Sequence, residues 1–298
     1  MEFRLLPHEP LPEGVRRLAG HQLTKAIGHL EGVDAAGDEH IHEARKSLKR
    51  LRALVCLVRG ELGTEAMRWE NRSLGQAAQV LAGMRDAAAL VECLDRLGQW
   101  SGKDHPRVRA WLLDRRSEGD ADTERAAVTV VDTLRWAQVR LEHWPLQGRE
   151  WEAIGPGVQW VYAQGRRALR RAGAEGGEEA FHQWRRYVKY LWYHTQLLEG
   201  CWPALMSVTQ AALDQVGEAL GDDHDLAVLG GVLRAEWPAT RARREVAQLA
   251  ALIPRQQAEL QARALGLGHR LYAERPRSLT RRWERYWAVW RGEAPSEN

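Results

Sequence analysis

The sequence predicts an all-α fold made of two related helical bundles, and three observations support this prediction. Leu, Ala, Arg and Glu, all good helix formers, dominate the composition. Apolar residues recur at helical spacing almost throughout, and the best β-branched run, residues 128–131, lies inside such a segment. A basic helix, a second helix, a glycine turn, an aspartate and a third helix occur twice in the same order, which indicates an internal duplication.

The N-terminal half is expected to span residues 12–144. Its predicted helices cover, in chain order, residues 12–32, 38–59, 65–81, 86–100, 107–117 and 121–143. Helix 38–59 is the first basic helix. Gly83 is expected to end one helix, and Asp86 to cap the N-terminus of the next.

Residues 145–157 contain prolines and glycines and show no clear period, so they predict a linker. The C-terminal half then spans residues 158–291. Its predicted helices cover residues 158–172, 178–199, 203–220 and 225–237, followed by an arginine-rich segment from 255 to 291. A turn from Gly221 to an aspartate cap at Asp225 corresponds to the turn before Asp86.

The first basic helix carries its cations on one face. At 100° per residue, His42 and five cations fall within an arc of roughly 160°, and Glu43 falls outside it. The cations are Arg45, Lys46, Lys49, Arg50 and Arg52. Like charges on one helix face repel, so this pattern favours an anionic partner over a purely structural role.

The second basic helix repeats the pattern. His182, Arg185, Arg186 and Lys189 take the offsets of His42, Arg45, Lys46 and Lys49, with no acid between His182 and Gln196. Tyr190 and Trp192 stand where the first helix has Arg50 and Arg52, so the second face is less charged and more aromatic. Two such faces together predict an anion-binding surface.

The remaining composition narrows the class of protein. Charged residues make up 28% of the 298 residues and the net charge is only +3, so the argument rests on local clustering. Three scattered cysteines, no signal-peptide core and no long apolar run predict a soluble cytoplasmic protein. No CxxC pair, Walker loop or G-x-S-x-G motif is present.

One acidic cluster raises the hypothesis of a metal-dependent phosphohydrolase. It consists of Asp222, Asp223, His224 and Asp225, and His-Asp doublets occur in such enzymes. That arrangement usually needs a further aspartate downstream, and the sequence has none after Asp225. The hypothesis is therefore disfavoured, and no metal or other cofactor is expected.

Together these features resemble the CHAD family, the conserved-histidine α-helical domain, over residues 12–291. The resemblance is carried by the two basic helices, the two glycine-to-aspartate turns, residues 162–171 and residues 266–276. It implies a single CHAD domain over residues 1–298, with two helical bundles related by a pseudo-two-fold. It also implies a basic channel or groove between them that binds inorganic polyphosphate.

The resemblance also implies the residues that bind the anion. They are His42, Arg45, Lys46, Lys49, Arg50, Arg52, Arg166, Arg167, Arg170, His182, Arg185, Arg186, Lys189 and Tyr190. His42 and His182 have two open interpretations: contact with phosphate, or a hydrogen bond to a neighbour at the helix start. Phosphate contact would strengthen binding at mildly acidic pH, because a protonated imidazole donates from both nitrogens.

The expected function is therefore non-catalytic binding of polyphosphate by a standalone CHAD protein, since no ExExK signature of a fused triphosphatase is present. Sulfate or phosphate could act as a surrogate ligand. A nucleic-acid-binding helical protein is the alternative, although no recognised nucleic-acid motif is present. Association with polyphosphate granules, chain-length preference and oligomeric state stay open.

Overall fold

The computed structural model describes residues 2–31, 37–83, 86–114, 120–237 and 243–292. These residues form twelve α-helices and one short 3-10 helix, Glu199–Cys201, with no strand among them. The all-α prediction is confirmed. The helices are α1 Leu11–Glu31, α2 Gly37–Leu57, α3 Arg59–Leu62, α4 Thr64–Gly83, α5 Asp86–Ser101, α6 Pro106–Asp114, α7 Asp120–Glu142, α8 Trp151–Glu175, α9 Glu178–Leu197, α10 Pro203–Glu236, α11 Arg243–Leu271 and α12 Pro276–Arg291.

The predicted turn from Gly221 to Asp225 is wrong, because α10 runs through it without interruption. Gly221 instead leaves space for a neighbouring side chain: a Cβ atom there would lie 3.4 Å from Nη2 of Arg185. One turn earlier, a Cβ atom at Gly217 would lie 3.2 Å from Nζ of Lys189. The glycines of α10 therefore mark a close approach to α9 rather than a chain reversal.

The corresponding helix boundaries in the first half agree with their prediction, whereas capping by Asp86 stays a prediction. Gly83 ends α4 and Asp86 begins α5, while Met84 and Arg85 lie outside the described residues.

The predicted linker is shorter than expected. It covers residues 143–150, and α8 already begins at Trp151. Gly157 lies inside α8, where a Cβ atom would overlap the backbone carbonyl of Leu57. The glycine signal that predicted a linker therefore reflects tight packing of α8 against the end of α2.

Two hydrophobic cores hold the helices together. The larger draws on residues from every described α-helix except α5 and α6, and α2 runs through it with residues 53–57 all buried. The smaller joins α5 and α6 to the second half of α10 and to α11. Each core takes residues from both sides of the linker, while the division into halves at 12–144 and 158–291 stays a prediction.

The two basic helices, α2 and α9, pack directly against each other. At their contact, Nε2 of the fully buried His194 donates a hydrogen bond to the carbonyl oxygen of Ala53 at 2.9 Å. Helix α4 covers α2, and α10 covers α9. Among the described residues, no helix is both long enough and apolar enough to cross a bilayer.

Candidate functional site

Cations from α2 and α9 converge on a histidine of α10. The pKa of His224 is lowered to about 4, first because the half-buried ring is partly removed from water and then because positive charge surrounds it. After His182, that charge comes from Arg185 on α9 and from Arg45 and Lys49 on α2. Residues separated by about 140 positions in sequence thus act on one ring.

The same convergence occurs at two further points. Burial raises the pKa of Tyr193 to about 12, and Arg50 of α2 and Arg185 of α9 both oppose that rise. Burial also raises the pKa of Cys56 to about 12, opposed by Arg52, Arg59 and Arg186. We call this set of side chains the cation cluster: Arg45, Lys49, Arg50, Arg52, Arg59, Arg185 and Arg186.

Three guanidinium groups of the cation cluster have a buried donor without an acceptor. The Nε atoms of Arg50, Arg59 and Arg185 have no hydrogen-bond partner among the described residues. A buried donor left unpaired costs about 1–3 kcal/mol, and more where the group is charged. The cluster therefore has spare capacity for acceptor oxygens after the protein's own hydrogen bonds are made.

The other predicted residues of α2 differ in their surroundings. His42 and Lys49 are exposed, while Arg45 and Lys46 are half-buried. Lys46 lies 3.3 Å from Glu43, which also pairs with Lys25 at 2.6 Å. These hydrogen bonds, first that of Lys25, lower the pKa of Glu43 to about 2. Lys46 is thus partly neutralised within its own helix.

Arg52 is positioned by neighbours that carry no charge. Its Nε donates to Oδ1 of Asn71 at 2.8 Å, and its guanidinium lies 5.8 Å from the ring centre of Tyr190. Tyr190 itself is 4% exposed, and its hydroxyl donates to the same Asn71 oxygen at 3.4 Å. Burial of Tyr190 argues against the direct contact with phosphate that the sequence predicted, so we assign it to the support of Arg52.

Acids from α10 offset part of the charge on α9, which the sequence interpretation missed. Lys189 lies 3.8 Å from Asp214, and burial lowers the pKa of this lysine. Burial likewise lowers the pKa of Arg185, against the stabilising charges of Asp225 and Asp222. Acids therefore offset charge at Arg185 and Lys189 of α9, whereas the described partners of Arg50 and Arg52 on α2 are uncharged.

His182 and His224 form a pair, with ring centres 4.6 Å apart. Burial lowers the pKa of His182 as well, and Arg185 and Arg186 add to this effect. Both rings are therefore neutral at pH 7 in the free protein. No sequence pattern paired His224 with His182, because His224 lies within an apparent metal-binding motif.

The three arginines of α8 do not form one group. Turning the Gln164 amide over lets its oxygen accept from both Nη2 of Arg167, at 2.6 Å, and Nε1 of Trp160, at 3.1 Å. Arg59 lies 4.4 Å above the same Trp160 ring, which links Arg167 to the edge of the cation cluster. Arg166 instead acts on Tyr162, whose hydroxyl donates to the backbone between α11 and α12, and Arg170 is exposed.

Arg59 was absent from the predicted site residues. It is the first residue of α3, two residues after α2 ends at Leu57, and it follows Arg52 by seven positions. Extending the basic face beyond Arg52 by two helical turns could therefore have found it.

The acidic residues of α10 point to different neighbours. Asp222 and Asp225 lie 3.4 and 3.2 Å from Arg96 of α5. Asp223 is buried and accepts from Gln257 and Gln261 of α11, at 3.2 and 2.9 Å. No group of three or more possible metal ligands occurs within the described ranges.

The fold and site define a class: an all-α protein in which two basic helices meet around a shared cation cluster. A family model described as the CHAD domain matches residues 17–234. The chain belongs to the CHAD family, as the sequence motifs indicated.

A solved structure described as PptA from Streptomyces chartreusis is similar to this chain, with a TM-score of 0.60 and 15% sequence identity. The match covers 89% of this chain and 100% of that one. At this identity the similarity shows the fold alone. The comparison with curated proteins gave no match.

Proposed function

We propose that this protein binds inorganic polyphosphate, without catalysis, in a groove formed by the cation cluster of α2 and α9. The observation that carries the proposal is the direct packing of the two basic helices, α2 and α9, which are far apart in sequence. This packing brings Arg45, Lys49 and Arg185 close enough to His224 that all three lower its pKa. Membership of the CHAD family supports the same ligand.

The donors of the cluster suit a phosphate polymer. Guanidinium groups donate to two phosphate oxygens at once, and ammonium groups act as point charges. The unpaired Nε donors of Arg50, Arg59 and Arg185 would gain acceptors after small side-chain rotations. Cations spread over several helical turns match a ligand that repeats one anionic unit along its length.

The aromatic residues of α9 favour polyphosphate over nucleic acid. Single-stranded nucleic acids stack their bases on exposed aromatic side chains. Tyr187 and Tyr190 are buried, and Trp192 lies partly buried beneath Lys189, with Nζ 5.3 Å from its ring centre. These rings support cations and offer little surface for stacking.

Titration of the purified protein with long-chain polyphosphate tests the proposal. Reversing one cation on each basic helix, Lys49→Glu with Lys189→Glu, should weaken binding by about 100-fold or more, because each reversal removes a contact and adds repulsion. The matched control, Arg270→Glu with Arg277→Glu, reverses the same number of exposed charges in the arginine-rich C-terminal segment.

The control variant should bind as the unchanged protein does. Equal loss in both variants, or loss in the control alone, would contradict a site between α2 and α9. Circular dichroism and thermal unfolding should show that both variants are folded, because Lys189 lies close to Asp214.

Two further assays separate the alternatives. Short RNA or DNA at equal phosphate concentration should fail to displace polyphosphate, and efficient displacement would favour the nucleic-acid hypothesis. Incubation of polyphosphate with the protein and Mg²⁺ or Mn²⁺ should release no phosphate, and release would favour a phosphohydrolase.

A further inference from the structure

Helix α7 has a second face that is largely exposed to solvent. One face packs against α1 and α4 and contributes buried residues to the larger core. The opposite face carries large apolar side chains in solvent: Trp136 is 66% exposed, Val128 63% and Val139 50%. Exposed apolar residues aligned along one helix are typical of an interaction surface.

The exposed face has the spacing of a coiled-coil seam. Six exposed residues follow one another at alternating intervals of three and four, which is the a and d pattern of a heptad. In chain order they are Arg125, Val128, Asp132, Arg135, Val139 and Glu142. We call these six residues the α7 seam.

The α7 seam is complementary to itself when reversed. If a second copy lies antiparallel about an axis midway between residues 133 and 134, each a position faces a d position. Val128 then faces Val139, Asp132 faces Arg135, and the third pair is Arg125 with Glu142. The two valines therefore contact each other across the interface, and each charged side chain faces one of opposite charge. A two-fold interface requires this self-complementarity.

We propose that two copies of this chain associate through the α7 seam, as an antiparallel helix pair. Trp136 flanks the seam in this arrangement and lies beside Thr129 of the other copy. Arg135 now pairs with Glu31 at 2.6 Å and with Asp132 of its own helix at 3.9 Å, so its guanidinium is already held at the surface. On dimerisation, Arg135 exchanges its contact with Asp132 of its own helix for a contact with Asp132 of the other copy.

The helix pair is about 27 Å long, which is smaller than a standard interface. The dimer should therefore be weak, with a dissociation constant of about 10–100 µM. Helix α7 packs against α1 and α4, whereas the cation cluster lies on α2, α3 and α9, so the proposal stands independently of the proposed function.

Sedimentation equilibrium over a range of protein concentrations tests the dimer. Asp132→Arg alone, or Arg135→Asp alone, places like charges opposite each other and should weaken association at least about tenfold. The two substitutions together restore opposite charges in reverse order and should restore association. A protein that stays monomeric up to about 0.5 mM, or a double variant as weak as the single ones, would overturn the proposal.

Cysteine cross-linking tests the register. Residues 128 and 139 of one helix are about 16 Å apart, too far for an internal disulfide. Val128→Cys with Val139→Cys should therefore give an oxidised dimer on a non-reducing gel. The control, Val128→Cys with Thr129→Cys, keeps Asp132, Arg135 and Val139, places no cysteine opposite another in this register, and should give only the background of the native cysteines. Equal cross-linking in both would contradict the antiparallel pairing.

Discussion

At the residue scale, identical side-chain types serve different purposes according to their neighbours. Arg185 packs against Gly221 of α10, and its charge is stabilised by Asp225 and Asp222. Arg52 instead donates a hydrogen bond to the neutral Asn71. Sequence spacing correctly put these cations on two helices. It could not show that acids from α10 offset charge on α9, because those acids lie 25 to 40 residues further along the chain.

Arg52 and Tyr190 should respond differently to substitution. Arg52→Ala removes a cation of the cluster and should weaken polyphosphate binding by about tenfold. Tyr190→Phe removes only a hydroxyl whose bond to Asn71 is long, so affinity should stay within about twofold. Fluorescence titration of both variants measures this. A tenfold loss in Tyr190→Phe would show instead that this hydroxyl contacts the ligand.

The histidine pair should make binding stronger in acid. Burial and nearby cations lower the pKa values of His182 and His224 in the free protein. A bound polyanion offsets that positive charge and raises both pKa values, so binding takes up protons and tightens as pH falls from 7 to 5.5.

A one-unit rise in pKa gives the full tenfold gain, roughly, only at pH values below both the free and the bound pKa. Most of the gain between pH 7 and 5.5 should therefore come from His182, and His224, whose pKa is about 4 in the free protein, should add less than about twofold for a one-unit rise. Titrations at both pH values should show the gain in the unchanged protein and lose it in the His182→Gln, His224→Gln double variant. An identical pH dependence in the double variant would place the anion away from these rings.

At the scale of the element, helix existence followed from the sequence better than helix ends did. The basic helices α2 and α9 begin and end close to their predicted bounds. Gly157 and Gly221 were wrongly predicted to lie in a linker and a turn. A glycine that ends a helix and a glycine that leaves space for a packed neighbouring helix cannot be distinguished in sequence. The helices that meet at such glycines are known only once the chain is folded.

Gly157→Ala should distinguish packing from flexibility. Its Cβ atom would overlap the Leu57 carbonyl, so the free energy of unfolding should fall by about 2–3 kcal/mol. Gly231→Ala is the matched control, since nothing lies within 4 Å of its Cβ position inside α10. That change should raise stability by about 0.5–1 kcal/mol. Urea denaturation of both variants measures the difference, and a neutral Gly157→Ala would contradict the close helix crossing.

At the scale of the whole molecule, the junction of α2 and α9 joins the site to the core. The sequence predicted two cationic faces and, through the family resemblance, a groove between them. It could not predict that the buried His194 of α9 would bind the α2 backbone, nor that α5 and α6 would pack with α10 and α11. Such contacts depend on tertiary packing, and no local pattern encodes them.

His194 should make the protein sensitive to acid. Burial lowers its pKa to about 4 in the folded protein, below its value of about 6.5 in the unfolded chain. The unfolded chain therefore binds more protons, and stability is lost as pH falls from 6.5 towards 4. Between pH 7 and pH 5 the loss from this group should be about 2 kcal/mol.

Urea denaturation at the two pH values should show a smaller loss in His194→Gln than in the unchanged protein, because all other titrating groups are shared. Equal losses would mean that His194 is accessible to protons in the folded state.

The central claim is that the cation cluster between α2 and α9 holds the anion, and a crystal structure with a bound short polyphosphate tests it most directly. The account predicts density for phosphate groups along this junction, within hydrogen-bond distance of Arg45, Lys49 and Arg185. Density found only beside the arginines of α11 and α12, with Arg185 and Lys189 still paired with the acids of α10, would contradict it.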